Sequence, residues 1–506
     1  MRTKRTLLNA LLSSLNLIVS SLLSLIATRE ILLYFGSDYN GLNSTITQFL
    51  SVLMLAESGF TVAGLVKLYK PYGEKDWITI NSILSKMNQI LKKIGLTMFA
   101  GGMVGACIYA LFIKTSVDYA TVVILFSFSI FSTAYNFFCV YKYRLLFQAS
   151  QTEYVIYGIN LIYYIVMYSG MILVIHITKS ILLARGFSMV CSLISGMAIG
   201  LFAKKQFPSA DFRADYSGVR IEGTKELFIS KIVGMCYSSL TVFYLSVFTG
   251  TLYTSVYAVY NSAISLITHY VHSMSTAPQN ALGQVINQEG NRLKKILAEF
   301  EYTTVLMSSI LFSVTMVMLI PFVRIYTAKI VDVDYIQPLI GIFMVLTSVM
   351  QIIHIPSGLC IELSGRFRIV KRIQYIALVV LVILSSVGSY FYGFLGLLAA
   401  KLITNIVLAV IEVSYAHSKI VPHSIGLYIK ITVPNLLLAS LLTLCEYSIM
   451  CEINLSIWGF LITGFVITIL NAVILLGFNR LLYKELLMGL TDRFKRILLK
   501  KIQKNA

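Results

Sequence analysis

Charge is scarce in this chain. Only 12% of its 506 residues are charged, and acids are the scarcer sign, 22 against 41 Lys and Arg. A soluble domain carries roughly 25% charged residues. Half that share is too little polar surface to face water, which excludes an ordinary soluble fold. No CxxC pair occurs among the seven cysteines, which removes thioredoxin-like and zinc-ribbon chemistry. Most of them lie in apolar runs and read as small core hydrophobes. Cys445 and Cys451 flank a short outer loop, and their spacing alone is weak support for a disulfide. No polar segment is long enough to form a separate soluble domain.

Apolar residues supply what charge does not. They make up 57% of the chain, and the mean hydropathy is +0.81. This composition predicts an all-α polytopic membrane protein, because helices satisfy their own backbone groups in lipid. Spans of sufficient length fall near 7–34, 43–66, 94–113, 119–140, 154–176, 180–202, 227–249, 252–277, 302–324, 336–360, 373–392, 394–416, 428–446 and 455–478. The first follows Arg2, Lys4 and Arg5 like a signal peptide, but its apolar run is too long for one and reads as an uncleaved span.

The basic residues give the orientation. On this map only Lys114, Lys179, Arg324 and Lys329 lie outside, and Arg29, Arg185 and Lys401 lie within spans. All other Lys and Arg fall on the side of the N-terminus. This positive-inside bias places both termini in the cytoplasm. It also accounts for the net charge of +19 without a nucleic-acid partner. The segments 70–93 and 480–502 are amphipathic and basic, suited to an anionic leaflet or to plain solvation.

An internal repeat is visible at an offset of about 214 residues. GSDYNGL (36–42) answers to GTLYTSV (250–256), and the turn at 74–80 to that at 288–294. Ser150 answers to Ser364, and LLAR (182–185) to LLAA (397–400) one residue further on. Six spans separate the copies, so the halves share one orientation about an axis along the membrane normal. The expected organisation is a six-helix repeat (1–203), a cytoplasmic linker (204–226), a second parallel six-helix repeat (227–417), two added helices (418–480) and a basic tail (481–506).

Ionisable groups at spanning depth are the candidate site residues. Arg29 and Glu30 sit in the outer third of span 1, and Glu57 near the middle of span 2. Arg185 and Lys401 occupy similar depths in spans 6 and 12. Each base either snorkels to the interface or faces a cavity. Glu57 either couples an ion or is a neutral acid bonded to a neighbouring helix. His176, His269, His272 and His354 are weaker candidates with no metal-site spacing. Gly101/Gly105 and Gly196/Gly200 read as helix contacts. No enzyme signature is present. Asp38, Asp118, Asp332, Asp334 and Glu452 are the few acids on short external loops, a poor setting for a glycan polymerase or ligase. No cofactor is expected.

The stretches TREILLYFGSDYNGLNS (28–44), AESGF (56–60) and LVKLYKP (65–71), after a basic N-terminus with Asn9, resemble bacterial Wzx-type polysaccharide flippases. These belong to the multidrug/oligosaccharidyl-lipid/polysaccharide exporter superfamily. TREILLYFG is also similar to the Arg-acid pair in the first span of the lipid II flippase. The resemblance implies a bacterial inner-membrane transporter with an alternately opening cavity. Its cationic wall would attract the pyrophosphate of a polyprenyl-linked oligosaccharide. It carries over Arg29 and Glu30 as cavity residues. Arg185 and Lys401 would join them as substrate contacts, with Glu57 a coupling or cavity residue. Membrane lipid, a coupling ion (H+ or Na+) and a glycan polymerase are the implied partners. A multidrug cation antiporter of the same fold is the alternative.

Overall fold

A computed structural model describes residues 2–214, 239–276, 291–421, 425–450 and 455–488, with a few isolated positions between. The described residues are helical apart from short connections. In chain order the helices are α1 (Arg2–Leu53), α2 (Leu55–Glu74), α3 (Trp77–Phe112), α4 (Tyr119–Cys139), α5 (Tyr141–Ala149), α6 (Tyr154–Thr178) and α7 (Ile181–Gln206). A π-helical turn, Leu245–Thr249, leads into α8 (Thr251–Thr276). Then come α9 (Asn291–Tyr326), α10 (Pro338–Ile353), α11 (Ile355–Leu363), α12 (Phe367–Lys419), α13 (Ile425–Met450) and α14 (Ile457–Leu482). Ten of the described helices are long and apolar enough to cross a membrane. Leu11, Ile18, Leu22, Ile108 and Leu111 on them are more than half exposed, as lipid-facing side chains should be.

Two of these helices are broken inside. Gly36 in α1 has φ 83° and ψ 179°, and Gly393 in α12 has φ 55° and ψ −128°. Neither conformation suits a residue with a Cβ. At Gly393 the chain reverses. Gly388 and Gly396 approach so closely that a Cβ on either would collide with the other's backbone. Eight residues of straight helix would hold those two about 12 Å apart.

Left-handed backbone recurs at a fixed interval. Gly36 and Gly250, Gln151 and Gly365, and Lys179 and Gly393 all have positive φ, and each pair is 214 residues apart. The short helices α5 and α11 also start and stop at that interval, each closed by a serine, Ser150 and Ser364.

The chain divides into two compact units, residues 1–258 with 329–333, and residues 259–328 with 334–506. In the first, α1 packs on α6, α3 on α4, and α7 on both α4 and α6. Its core joins Ile31, Leu42, Ile46, Phe126, Ile130, Met171 and Ile175. Gly105 meets Phe49, while Gly196 and Gly200 meet Tyr135 and Tyr143. Gly101 faces open space, and its neighbour Gly102 makes the contact to Leu53 and Ile130 instead. Asp118 caps α4 by accepting from Thr121 N at 2.8 Å. That bond holds its carboxyl below the usual pKa.

In the second unit, α9 packs against α13 and α14. Asn435 and Asn479 exchange side-chain bonds of 3.3 and 2.6 Å between α13 and α14. Asn471 donates to Ser313 on α9 and to Glu446 on α13, both at 3.1 Å. Such amide bridges hold helices together where lipid gives no hydrophobic drive.

Two loop acids turn out to be structural clasps. Asp38, 9% exposed, accepts from Thr115 Oγ1 at 3.0 Å and Ser116 N at 2.6 Å, and also from the hydroxyls of Ser116 and Thr251. It thereby joins the α1 break, the α3–α4 loop and the start of α8. Asp332 accepts from Ser37 N and Ser37 Oγ, both at 2.6 Å. A Cβ at Gly36 would sit 2.9 Å from that carboxylate. Hydrogen bonds to a buried charge contribute about 1.5–3 kcal/mol each, so Asp38→Ala should cost about 3 kcal/mol or more. Thermal unfolding in detergent should show a clear fall in midpoint, and a midpoint equal to wild type would contradict the clasp.

Candidate functional site

The Arg29–Glu30 pair rides on the first arm of α1, which α6 supports along its length. Asn9 Oδ1 accepts from Tyr154 N at 2.7 Å, and Asn9 Nδ2 donates to Gln151 O at 3.1 Å. Asn16 Nδ2 donates to Tyr157 O at 3.2 Å. At the far end Glu30 Oε2 lies 3.1 Å from His176 Nε2. Tyr34 Oη lies 2.7 Å from His176 Nδ1, with the two rings edge to face. Adjacent helical residues point about 100° apart. Glu30 therefore turns to α6 and pairs with His176, a residue whose sequence context gave it little weight. Arg29 points elsewhere. It is partly buried, and its Nε is buried with no hydrogen-bond partner among the described residues.

Arg185 lies inside the first unit. It donates to Asn43 Oδ1 on α1 and lines a small hollow with Tyr39, Ile46, Leu125, Ser129 and Ile181. This is an internal polar contact of the helix bundle, not the outward reach of a snorkelling side chain. Lys401 belongs to the second unit, partly buried on the second arm of α12, one turn before the buried Thr404 and Asn405. Glu57 falls on α2, but its side chain lies outside the described residues, as do Cys451, residues 215–226 and the tail from 489.

The second unit holds a buried acid–histidine cluster of which the sequence singled out only His354, as a weaker candidate. Glu301 on α9 is 2% exposed. Its Oε1 lies 2.8 Å from His417 Nε2 on α12 and accepts from Ser357 Oγ on α11 at 3.0 Å. The His417 ring also meets that of Tyr428 on α13 at 5.5 Å. A second pair joins His354 Nδ1, between α10 and α11, to Glu412 Oε2 on α12 at 2.7 Å. His354 Nε2 remains buried with no partner among the described residues. Glu301 and His417 stand one residue beyond the spans near 302–324 and 394–416, where a sequence reading assigns them to loops, whereas Glu412 and His354 lie inside the spans near 394–416 and 336–360. A usable signal existed: Glu301, Glu412 and His417 each stand within about one helical turn of a continuous apolar run.

An apolar cavity of about 340 Å³ lies in the second unit among α9, α10 and α13, lined by Phe312, Met316, Val345, Leu346, Leu436 and Leu444. No group of three His, Cys, Asp or Glu residues could hold a metal ion among the described residues.

Removing one partner of a buried hydrogen-bonded pair leaves the other's polar group unsatisfied, at a cost of about 1–3 kcal/mol or more. Glu301→Ala and His417→Ala should each destabilise strongly, and the double substitution should cost much less than their sum. Additive effects in a thermal-unfolding double-mutant cycle would show that the pair is not coupled.

No family model matches the chain, and no curated protein sequence does. Solved structures do. The lipid II flippase MurJ, in an inward closed conformation, superposes with a TM-score of 0.68 and 14% identity, covering 94% of this chain and 99% of that one. An inward-facing multidrug resistance MATE transporter of the MOP superfamily gives 0.63 and 12%, covering 81% and 96%. A MATE transporter of Vibrio cholerae gives 0.53 and 13%, covering 84% and 100%. The chain is therefore a multi-pass membrane protein with the helical fold shared by the lipid II flippase and the MATE transporters.

Proposed function

We propose that this protein is a flippase of the bacterial cytoplasmic membrane that moves a polyprenyl-pyrophosphate-linked oligosaccharide to the outer leaflet by alternating access. The likeness to the lipid II flippase carries the reading, because it covers 94% of this chain where the first MATE structure covers 81%. In this account the chain has fourteen spans, six, six and two. The breaks at Gly36 and Gly393 divide α1 and α12 into separate arms, which supports that count. The recurrence of left-handed positions at 214 residues supports a duplication of the six-span half.

Pyrophosphate crosses a low-dielectric region only where fixed cations replace its water. Arg29 is the favoured contact, since its buried Nε has no protein partner among the described residues. Arg185 and Lys401 would add positive charge, and Glu30 and Glu57 would balance it or couple an ion. Glu30 has His176 as its present partner. Glu301 with His417 adds a second proton-binding candidate, and this pair favours ion coupling. The 340 Å³ apolar cavity is suited to part of a polyprenyl chain.

The MATE likeness keeps multidrug cation antiport as a second reading, while a glycan polymerase or ligase has no structural support. One experiment separates the two transport readings. Arg29→Ala in the native host should abolish the surface glycan at unchanged membrane abundance, with drug susceptibility unaltered. Arg29→Lys should keep part of the export if charge alone acts, and little if bidentate phosphate geometry is needed. An intact surface glycan in a complete knockout, with raised sensitivity to cationic drugs, would overturn the flippase in favour of the antiporter.

A further inference from the structure

The first unit contains a polar hollow that the transport reading does not use. Helices α1, α4, α5, α6 and α7 line a half-open hollow of about 520 Å³. A polar, half-open hollow among the helices of a membrane bundle offers room for water or a ligand. Its wall carries three carboxamides on three helices, Asn16, Asn136 and Asn160. Ser192 and Ser195 on α7 add hydroxyls.

Asn16 shows that the wall is incomplete. It is 7% exposed. Its Nδ2 is used by Tyr157 O at 3.2 Å, but its Oδ1 is buried with no partner among the described residues. An unsatisfied buried acceptor destabilises the fold. A donor on a bound molecule would remove that cost.

The lining also indicates what kind of molecule fits. Carboxamides and hydroxyls both donate and accept, which suits a group that does the same at several points around a ring. Tyr163 and Tyr164 supply flat apolar faces against which a C–H surface can lie. Arg144 and Glu153 bring one charge of each sign. Their charges cancel, so the hollow as a whole is not built for an anion. The volume lies within the ~300–1,000 Å³ range of small-molecule pockets and is large enough for one or two sugar rings. The residues stand near the start of α1, the end of α4, the start of α6 and the later half of α7. That is the end of the unit carrying the N-terminus, which the charge distribution assigns to the cytoplasm.

We propose that this cavity is a sugar-binding subsite that docks a neutral pyranose ring of the lipid-linked glycan from the cytoplasmic side, with Asn16 Oδ1 accepting a ring hydroxyl. The link to the glycan rests on the flippase reading, whereas ring binding does not. A lipid headgroup with a glycerol hydroxyl shares part of this chemistry, and the test separates the two.

The full chain in lipid nanodiscs would be unfolded thermally with and without about 100 mM methyl glycoside, a concentration suited to millimolar affinity. Glucose, galactose and N-acetylglucosamine glycosides would be tried in turn, with glycerophosphoethanolamine as the headgroup arm. Asn16→Leu and Ser195→Leu would be measured alongside, from two different helices. Sugars raise unfolding midpoints by general exclusion from the surface, and that part is common to all three proteins. The subsite predicts an additional rise of about 2 °C or more in wild type with at least one glycoside, absent from both variants. Equal shifts in all three proteins would overturn it, and so would a wild-type shift with glycerophosphoethanolamine alone. Should Asn16→Leu fail to fold, Ser195→Leu carries the comparison. The assay involves no transport. A missing glycoside effect beside normal Arg29-dependent export would reject the subsite and leave the flippase, and specific binding beside intact glycan in a knockout would do the reverse.

Discussion

Inside a bilayer no water is at hand to satisfy a polar group, so every buried donor, acceptor and charge must find a partner within the protein. The structure depends on this constraint at each level. Backbone groups meet it by forming helices. Where the chain must leave the helix, at Gly36, the cost is met locally: Asp332 accepts from Ser37, and Asp38 gathers Thr115, Ser116 and Thr251. Side chains meet it by pairing across helices, as Asn435 does with Asn479 and Glu301 with His417.

The same constraint gives exceptions their meaning. Glu30 and Arg185 were candidates because charge at spanning depth is expensive, and both have local partners, His176 and Asn43. Arg29 Nε, His354 Nε2 and Asn16 Oδ1 are buried without partners among the described residues. In a medium without water, such atoms are where a substrate, a proton or a ligand has most to offer. The proposed functions of Arg29 and Asn16 both follow from that one argument.

Much of the fold was legible from residue order. Apolar runs of sufficient length coincide with the ten described helices able to cross a membrane, and the glycines opening GSDYNGL and GTLYTSV both adopt left-handed backbone. The close of LFQAS and of CIELS, at Ser150 and Ser364, ends matching short helices. The site was less legible, for a physical reason. Hydropathy reports the depth of a residue, not the direction of its side chain. It could therefore place Glu30 in span 1 but could not find His176 across from it. It also treats the ends of apolar runs as loops, which hid Glu301 and His417, and it gave no sign that Glu412, inside the span near 394–416, would meet His354. Asp38 and Asp332 looked like solvated loop acids, because their partners lie far away in sequence and come together only on folding.

The central claim is that this protein moves a pyrophosphate-linked glycan across a membrane with Arg29 as a required cation. The direct measurement uses purified protein in liposomes containing polyprenyl-pyrophosphate-linked glycan, with an added glycosidase that cannot cross the bilayer. The account predicts that wild-type protein exposes the protected inner-leaflet glycan to the enzyme much faster than protein-free liposomes do, and that Arg29→Ala falls back to the protein-free rate. Equal rates with and without wild-type protein would contradict it.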